Sequence, residues 1–539
     1  MESFDSFLQA MEAEVNGGGA NPIMNAPVAK LPAVEAKPVA KPPAVEAKPL
    51  SVEAKLPVVE AKPLSVEAKP LSVEAKPLSV EAKPLSVEAK PLSVEAKPVA
   101  KPEPTPVAKH ENRLRLVIVG THLQQTTGYA KVMHGMIHAL SAIPWIELTH
   151  FAIQRAQPPA NLKRDYPSNV RVIDAMQLET ERRPSDVARM IPPGFAFAHL
   201  PQAIRDTTPH IVLIYNDAMI IQEYIQEIRK AQVPRKFALW LYLDVVYPHM
   251  TTVLTDMVNR EADRIFCFTK GWREVLQQQG ITRPIDVMPH AFESTMFHPI
   301  AKEVAREAAN IPRDAFLIVS TNRNQPRKRL DLAVMAFTEL IVKHPERPIY
   351  LMCVCASGQG GDGGGGYALF DIFARELALR NASVEHFGGR LLVTDTNATH
   401  SDDHINIMYN MADCGLSCAE GEGFGLCAFE QMGVGVPQVL SDVIGHREYC
   451  QHERNGLIVP VRTRTYLPTG YYPIGGEAGI VDYREVAGAI EKYVVDGQLR
   501  AHHGRVARET VLEYTWERAL RTFTRRLRST YDDFFTEED

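Results

Sequence analysis

The sequence predicts an α/β fold: two Rossmann-like, doubly wound domains facing a cleft, preceded by a disordered tether of Pro, Lys and Glu repeats. Three observations carry that reading. From Arg113 onward, short apolar runs alternate with amphipathic helical stretches, the pattern of parallel α/β architecture. The alternation comes in two series, one opening at Leu114 with "LRLVIVG" and one at Phe316 with "FLIVS". Ahead of both, "KPLSVEA" recurs in tandem from Lys48, with variants such as "KPPAVEA" around it.

The repeat has seven residues without being a coiled coil. A proline in every unit removes a helix donor and clashes with the preceding turn, which excludes continuous heptad helices. Each unit offers too little apolar surface to offset its ordering entropy. Residues 28–110 are therefore expected to be an extended tether, reaching about 200 Å if about 70 of them lie near 3.1 Å per residue. In residues 1–27, Phe4, Phe7, Leu8 and Met11 recur at helical spacing before "NGGG". A helix docking a protein partner and an unstructured start both remain open there.

The first domain is assigned to residues 111–298. "LRLVIVG" is a buried strand, and the helix "YAKVMHGMIHAL" carries Val132, Met136 and Leu140 on one face. The strands "HIVLIY", "FALWLYL", "RIFCFT" and "PIDVMP" follow. The second domain, residues 299–505, continues from "FLIVS" through the expected strands "IYLMCVC", "VEHF", "CGLSC", "QVLSD" and "GLIVP", with helices such as "DLAVMAFTELIVKH" between them. Residues 506–539 read as a final helix with Trp516, Leu520, Phe523 and Leu527 along one stripe and arginines around it. Those arginines either solvate the outer face or touch a membrane surface.

Composition narrows the class. The chain is 45% hydrophobic and 23% charged, the balance of a soluble globular protein, and its net charge of -6 gives nucleic acid no basic field to bind. Seven cysteines without CxxC pairs read as free thiols of a reducing compartment, with Cys353 and Cys355 buried in one strand. No apolar run approaches the roughly 20 residues of a membrane span. No basic-then-apolar leader pattern opens the sequence. The expected setting is cytoplasmic, with peripheral membrane contact left open.

In an open α/β sheet, ligands bind outside the carboxyl ends of the strands. "EGEGFGLCAFEQMG", residues 420–433, follows the strand "CGLSC" and leads into a helix, so its glycines and carboxylates face that crevice. Gly421, Gly423 and Gly425 allow close backbone approach and offer amides at a helix start. Glu422 and Glu430 are good acceptors for hydroxyls on two rings of one ligand. "STNRNQPRKRLDL" leaves the strand "FLIVS" with Arg323 and Lys328 spaced to close on a diphosphate, although Arg327 and Arg329 compete for that place. In the first domain, "VGTHLQQTTGYAKV" brings Gly128 to a helix start, where its backbone amide can meet a phosphate or sugar from the opposite wall of the cleft, and Asp244, ending the strand of "LYLDVVYPH", points to the same cleft with a functional role. A strand-end cap is the alternative for Asp244.

From about Arg113 to Tyr531 the chain resembles GT-B fold glycosyltransferases, most closely the large retaining family 4. The resemblance rests on "EGFGLCAFEQMGVGVPQVLSD" with "NGLIVP", on "NRNQPRK", on "ADRIFCFT" and on "VMPHAFESTMFHP". Glu422 and Glu430 have the separation of that family's Glu, seven residues, Glu motif. By resemblance, Glu422 binds the transferred sugar near its reacting carbon and Glu430 the nucleotide ribose. Arg323 and Lys328 match the diphosphate-binding pair, and the backbone of Gly423, Phe424, Gly425 and Leu426 touches sugar and phosphate.

The resemblance implies a nucleotide-diphosphate sugar donor, UDP- or GDP-linked, transferred with retention and without a metal or another cofactor. The acceptor would be a glycan, a lipid-linked glycan or a protein. Departures lie on the acceptor side. Thr127 and Gly128 stand where the family has a double glycine, Asp244 where it often has His, and "HAFE" where it has "NGVD". Two other readings stay open, a sugar-nucleotide epimerase or hydrolase of the same fold and a non-enzymatic tethered scaffold. The run "SGQGGDGGGG" lacks the Lys-Ser/Thr of a phosphate loop and reads as a mobile surface loop. "RTRTYLPTGYYPIGG" either lines the cleft or covers a sheet edge.

Overall fold

The computed structural model describes residues 113–535, apart from 157–161, 163, 181–182, 189–190, 308–310, 356–365, 395–399 and 469–473. The N-terminal segment, the repeat tether and the glycine run from Ser357 to residue 365 therefore lie outside the described residues.

The first sheet contains β1 (Leu114–Thr121), β2 (Ile146–Ile153), β3 (Arg171–Asp174), β4 (Ile211–Asp217), β5 (Ala238–Asp244), β6 (Arg264–Cys267) and β7 (Ile285–Val287). Their order is β3-β2-β1-β4-β5-β6-β7, and every pairing is parallel. The second sheet contains β8 (Phe316–Thr321), β9 (Ile349–Val354), β10 (Leu391–Val393), β11 (Cys414–Ser417), β12 (Gln438–Ser441) and β13 (Leu457–Val459). It is also parallel, in the order β10-β9-β8-β11-β12-β13. The apolar runs that predicted these strands are buried because helices cover both faces of a parallel sheet. Ile118, Leu213, Ile318 and Leu351 are fully inaccessible.

Strand order reverses between β1 and β4 in the first sheet and between β8 and β11 in the second. Such reversals open a crevice at the carboxyl ends of the strands. Thr121, Asp217, Thr321 and Ser417 end those four strands and mark where the two crevices begin.

Helix α1 (Gly128–Ser141) buries Val132, Met136 and Leu140, the stripe read from the sequence, together with Met133 and Ile137. The helices α2 (Lys270–Gln278), α3 (Leu330–Lys343), α4 (Asp402–Met411) and α5 (Leu426–Gly433) follow. Helix α6 (Gly497–Leu512) runs through residue 505, so the expected boundary there moves to the short link before α7 (Trp516–Phe535). Helix α7 crosses back to the first sheet, where Phe523 packs edge-on against Trp240 and Phe266 at 5.7 and 5.0 Å. Its arginines are partly engaged: Arg526 binds Asp286 at 3.0 Å and Arg528 binds Asp532 at 3.1 Å.

Two expectations change. "VEHF" is a helix, Val384–Phe387, because the Ser383 hydroxyl accepts from the Glu385 amide and caps its first turn; β10 supplies the strand instead. The tyrosine-rich segment after β13 forms an antiparallel ribbon of β14 (Val461–Tyr466) and β15 (Glu477–Val481). It is tied to the loop after β5: Thr251 N donates to Ile474 O at 2.7 Å and Glu477 N to Pro248 O at 2.8 Å. The ribbon thus bridges to the first domain. Among the described residues, no helix is long and apolar enough to cross a membrane.

Candidate active site

The crevices of the two sheets face a shared cavity of about 280 Å³. Asp244, Tyr129, Phe268 and His290 line it from the first domain; Arg323, Lys328, Glu422 and His446 line it from the second.

The second-domain wall is built by two turns at neighbouring strand ends. After β11 the chain enters the glycine loop, and Gly425, with φ +89°, starts α5 in a backbone region that an L side chain would strain. This places Glu422, 6% exposed, against the tight turn Pro326–Lys328 that follows β8. Its carboxylate accepts from Arg327 Nη1 at 3.0 Å and, at closer range, from Lys328 Nζ. Burial alone would raise the Glu422 pKa, but the Lys328 and Arg327 cations outweigh it and hold the carboxyl at about 2. The Lys328 ammonium is pushed down by burial and by Arg327 beside it, against the pull of Glu422.

The four basic residues of this turn now separate. Arg327 is tied to Glu422 and to Gly421 O at 3.0 Å. Arg329 turns to Asp331 at 2.8 Å. Arg323 lines the cavity, is exposed and has no ion-pair partner among the described residues. Arg323 is therefore the cation available to an incoming anion, with Lys328 beside the carboxylate.

Asp244 ends β5, and its Oδ2 accepts from Tyr129 Oη at 2.5 Å, while its Oδ1 is buried without a hydrogen-bond partner among the described residues. Burial raises its pKa to about 6, against the Tyr129 hydrogen bond and the Arg327 charge. It is not a strand-end cap. Gly423 passes so close that a Cβ there would lie 2.3 Å from Asp244 Oδ1. Trp272, in the first turn of α2, donates its indole N–H to Gly423 O at 2.8 Å and fixes that approach. Gly128 also meets the second domain, since a Cβ on it would lie 2.9 Å from Leu426. Thr127 does not line the cavity; its hydroxyl turns to Gln125 Oε1 at 2.5 Å.

Phe424, Gly425 and Leu426 line the cavity, but Glu430 does not. Glu430 accepts from Lys131 Nζ, on α1, at 2.8 Å and from Tyr409 Oη, on α4, at 2.8 Å. Sequence reasoning passed over Lys131, Tyr409, Trp272, Tyr129 and His446. A signal existed for Tyr129 and Lys131, which follow Gly128 in the first turn of α1. His446 stands five residues beyond the end of β12, also on the carboxyl side.

Three buried polar atoms without hydrogen-bond partners among the described residues belong to residues that line this cavity, Asp244 Oδ1 from the first domain and Ser417 Oγ and His446 Nε2 from the second. Buried polar atoms are normally paired, so an unpaired set around one cavity is a set of contacts for a polar ligand. Acceptors for hydroxyls sit beside cations for an anion, the arrangement that suits a sugar linked to phosphate. Among the described residues, no group of three or more His, Cys, Asp or Glu side chains is placed to hold a metal ion.

Residues 313–467 match the family model described as glycosyl transferases group 1. A D-inositol 3-phosphate glycosyltransferase of Saccharomonospora viridis is 25% identical over 282 residues, 51% of this chain and 57% of that protein. The chain spans about half the length of the curated relatives it matches. Among solved structures, sucrose-phosphate synthase of Thermosynechococcus elongatus superposes with a TM-score of 0.59 at 15% identity, over 78% of this chain and all of that one. HepE of Anabaena, in complex with UDP and glucose, superposes with a TM-score of 0.55 at 12% identity, over 77% of this chain and 100% of that one. These structural likenesses establish the fold, which is GT-B.

Proposed function

We propose that this GT-B chain is a glycosyltransferase that moves a sugar from a nucleotide-diphosphate donor to an acceptor hydroxyl with retention of configuration. The observation that carries it is the pairing of Glu422 with Lys328 and Arg327 beside Arg323, which has no ion pair among the described residues, at a cavity that both strand-order reversals face. The second-domain match to glycosyl transferases group 1 supports it, as do relatives that use inositol phosphate and neighbours solved with UDP.

In this reading the donor diphosphate lies against Arg323 and Lys328, which offset the charge that grows on the leaving phosphate. Glu422 holds hydroxyls of the transferred sugar. Held at about 2, its carboxyl is ionised near neutral pH and accepts hydrogen bonds there. The bond between the anomeric carbon and the phosphate oxygen breaks as the acceptor oxygen bonds to that carbon on the same face. The acceptor's proton passes to the departing phosphate, so neither a protein nucleophile nor a metal takes part. Asp244, supported by Tyr129, lies on the first-domain side and orients the acceptor hydroxyl. Glu430 receives the ribose once Lys131 gives way. UDP or GDP is the nucleotide; a glycan, lipid-linked or protein hydroxyl is the acceptor.

The test is a thermal-shift and NMR screen of the full-length protein against UDP-, GDP- and ADP-sugars, repeated with Glu430→Ala and Lys328→Ala. Stabilisation by one sugar nucleotide, lost in both variants, is the expected result. Binding followed by donor consumption without any acceptor would replace transfer with hydrolysis or epimerisation. A folded protein that binds none of them would leave the scaffold reading.

A further inference from the structure

His446 opens the short turn His446–Glu448 after β12, 1% exposed, on the same wall as Glu422. Its Nδ1 lies 2.9 Å from Ser441 O. A carbonyl can only accept, so Nδ1 carries the proton and Nε2 presents a lone pair. Burial holds the imidazole below its ordinary pKa against the pull of the Glu422 carboxylate, so the ring is neutral near pH 7. Nε2 has no hydrogen-bond partner among the described residues, although it is fully enclosed. Gly425 packs directly against this edge of the ring: a Cβ on it would stand 3.0 Å from Nε2 and 2.7 Å from Tyr449 Oη, so only a residue without a side chain leaves Nε2 unblocked there. Among the unpaired buried histidine nitrogens of the described residues, this one belongs to a residue that lines the cavity, where a hydroxyl donor from a ligand would satisfy it. Phosphate oxygens, which only accept, cannot supply one.

We propose that His446 is a specificity-determining residue of this cavity, its Nε2 accepting a hydrogen bond from one hydroxyl of the transferred sugar. This rests on the reading of the cavity as a sugar-nucleotide site. The transferred sugar is favoured over the ribose because His446 shares its wall with Glu422 and Gly425, whereas Glu430, expected at the ribose, is held elsewhere by Lys131 and Tyr409. Glu422 and His446 then read different hydroxyls. A carboxylate flanked by two cations fixes the sugar whatever its epimer, while a single directional lone pair rejects a sugar whose hydroxyl points away.

The test measures binding of UDP, GDP, UDP-glucose, UDP-galactose, UDP-N-acetylglucosamine and GDP-mannose to the full-length protein by calorimetry, in wild type, His446→Leu and His446→Gln. For the sugar nucleotide that binds best, His446→Leu is expected to weaken affinity roughly 10- to 100-fold, the cost of an unmade hydrogen bond in a site built for it. Affinity for the matching bare nucleoside diphosphate should stay within about threefold, well below that cost. His446→Gln, which can set a carbonyl oxygen near the Nε2 position, should recover most of the loss. A monodeoxy series of the same donor on wild-type protein gives an arm that needs no variant: one analogue should lose as much as His446→Leu loses. Equal weakening of sugar nucleotide and bare nucleotide overturns the assignment, as does an unaffected His446→Leu protein or a deoxy series without a sensitive position. Failure of wild type to bind any of the six probes overturns the donor-site reading itself, and this inference with it.

Discussion

Lys131 Nζ lies 2.8 Å from Glu430 Oε2, joining a helix of the first sheet to a helix of the second across the cleft. Both side chains are largely enclosed, at 14% and 6% exposure, and the Lys131 ammonium also stands 4.6 Å from the centre of the Phe297 ring. Removing one partner of an enclosed pair leaves an uncompensated charge, which typically costs about 3–5 kcal/mol. Lys131→Met should therefore lower the melting temperature by several degrees. Lys131→Met with Glu430→Gln should recover part of that loss. Thermal unfolding of the two single variants and the double checks it; strictly additive losses would show that the contact carries no coupling.

Lys328 and Arg327 share one carboxylate, so Lys328→Ala leaves Glu422 paired with Arg327 and the turn in place. The expected result is a kcat loss of roughly 10²–10³, the usual scale for removing one preorganised contact to developing charge. The melting temperature should move little. Arg323→Ala should behave similarly, because Arg323 has no ion pair among the described residues to lose. Steady-state kinetics beside circular dichroism separates the two quantities. A large loss of fold with unchanged turnover among surviving molecules would reverse the assignment.

Asp244 gives the acid side of the pH profile a definite sign. Its folded pKa, about 6, stands above its ordinary value, so its contribution to stability is fully present below about pH 4. That contribution is lost as pH rises through about 6. Asp244→Asn does not titrate, so the melting-temperature advantage of wild type over this variant should shrink between pH 5 and pH 7. If the ionised carboxylate orients the acceptor, wild-type kcat/KM should rise over the same interval and that limb should flatten in Asp244→Asn. Glu422 runs the opposite way: its contribution is present above pH 4.5 and is lost only as pH falls toward 2. A pair of pH series on the two proteins tests both signs.

Much of the fold was legible in the sequence because buried parallel strands are written as continuous apolar runs. β1, β4, β5 and β8 stand where those runs are. β2 escaped notice because it carries Thr149 and His150 in its middle; the structure satisfies the His150 ring with Tyr166 Oη at 3.0 Å and Gly120 O at 3.1 Å. "VEHF" misled because four residues cannot display a period, and one capping hydroxyl decided the outcome. In the site, Glu422 and Lys328 could be read from spacing because both sit on loops leaving adjacent strands, β11 and β8. Arg327 could not be told from Arg323 or Arg329, since only the path of the Pro326–Lys328 turn selects among them. Lys131 and Trp272 reach the site from the other sheet, about 299 and 151 residues from their partners, and no local pattern marks such a pairing.

Gly423 offers the most direct check on how closely the two domains meet. A methyl group there would lie 2.3 Å from Asp244 Oδ1, closer than any real contact, and 3.1 Å from the Phe268 ring, tighter than most. Asp244 is too short to swing aside, and Phe268 is 3% exposed, so the loop must back away from the first domain. That movement also lengthens the Trp272 hydrogen bond to Gly423 O. Gly423→Ala should lower stability by about 1–3 kcal/mol, the usual cost of overpacking, and should lower turnover at the same time. Trimming the obstacle separates the two effects. Gly423→Ala with Asp244→Ala removes the 2.3 Å conflict and should restore the urea midpoint most of the way, while turnover stays low because the acceptor-side carboxylate is gone. If the double variant is no more stable than Gly423→Ala alone, Asp244 is not what the loop leans against, and the close approach of the two domains is set elsewhere.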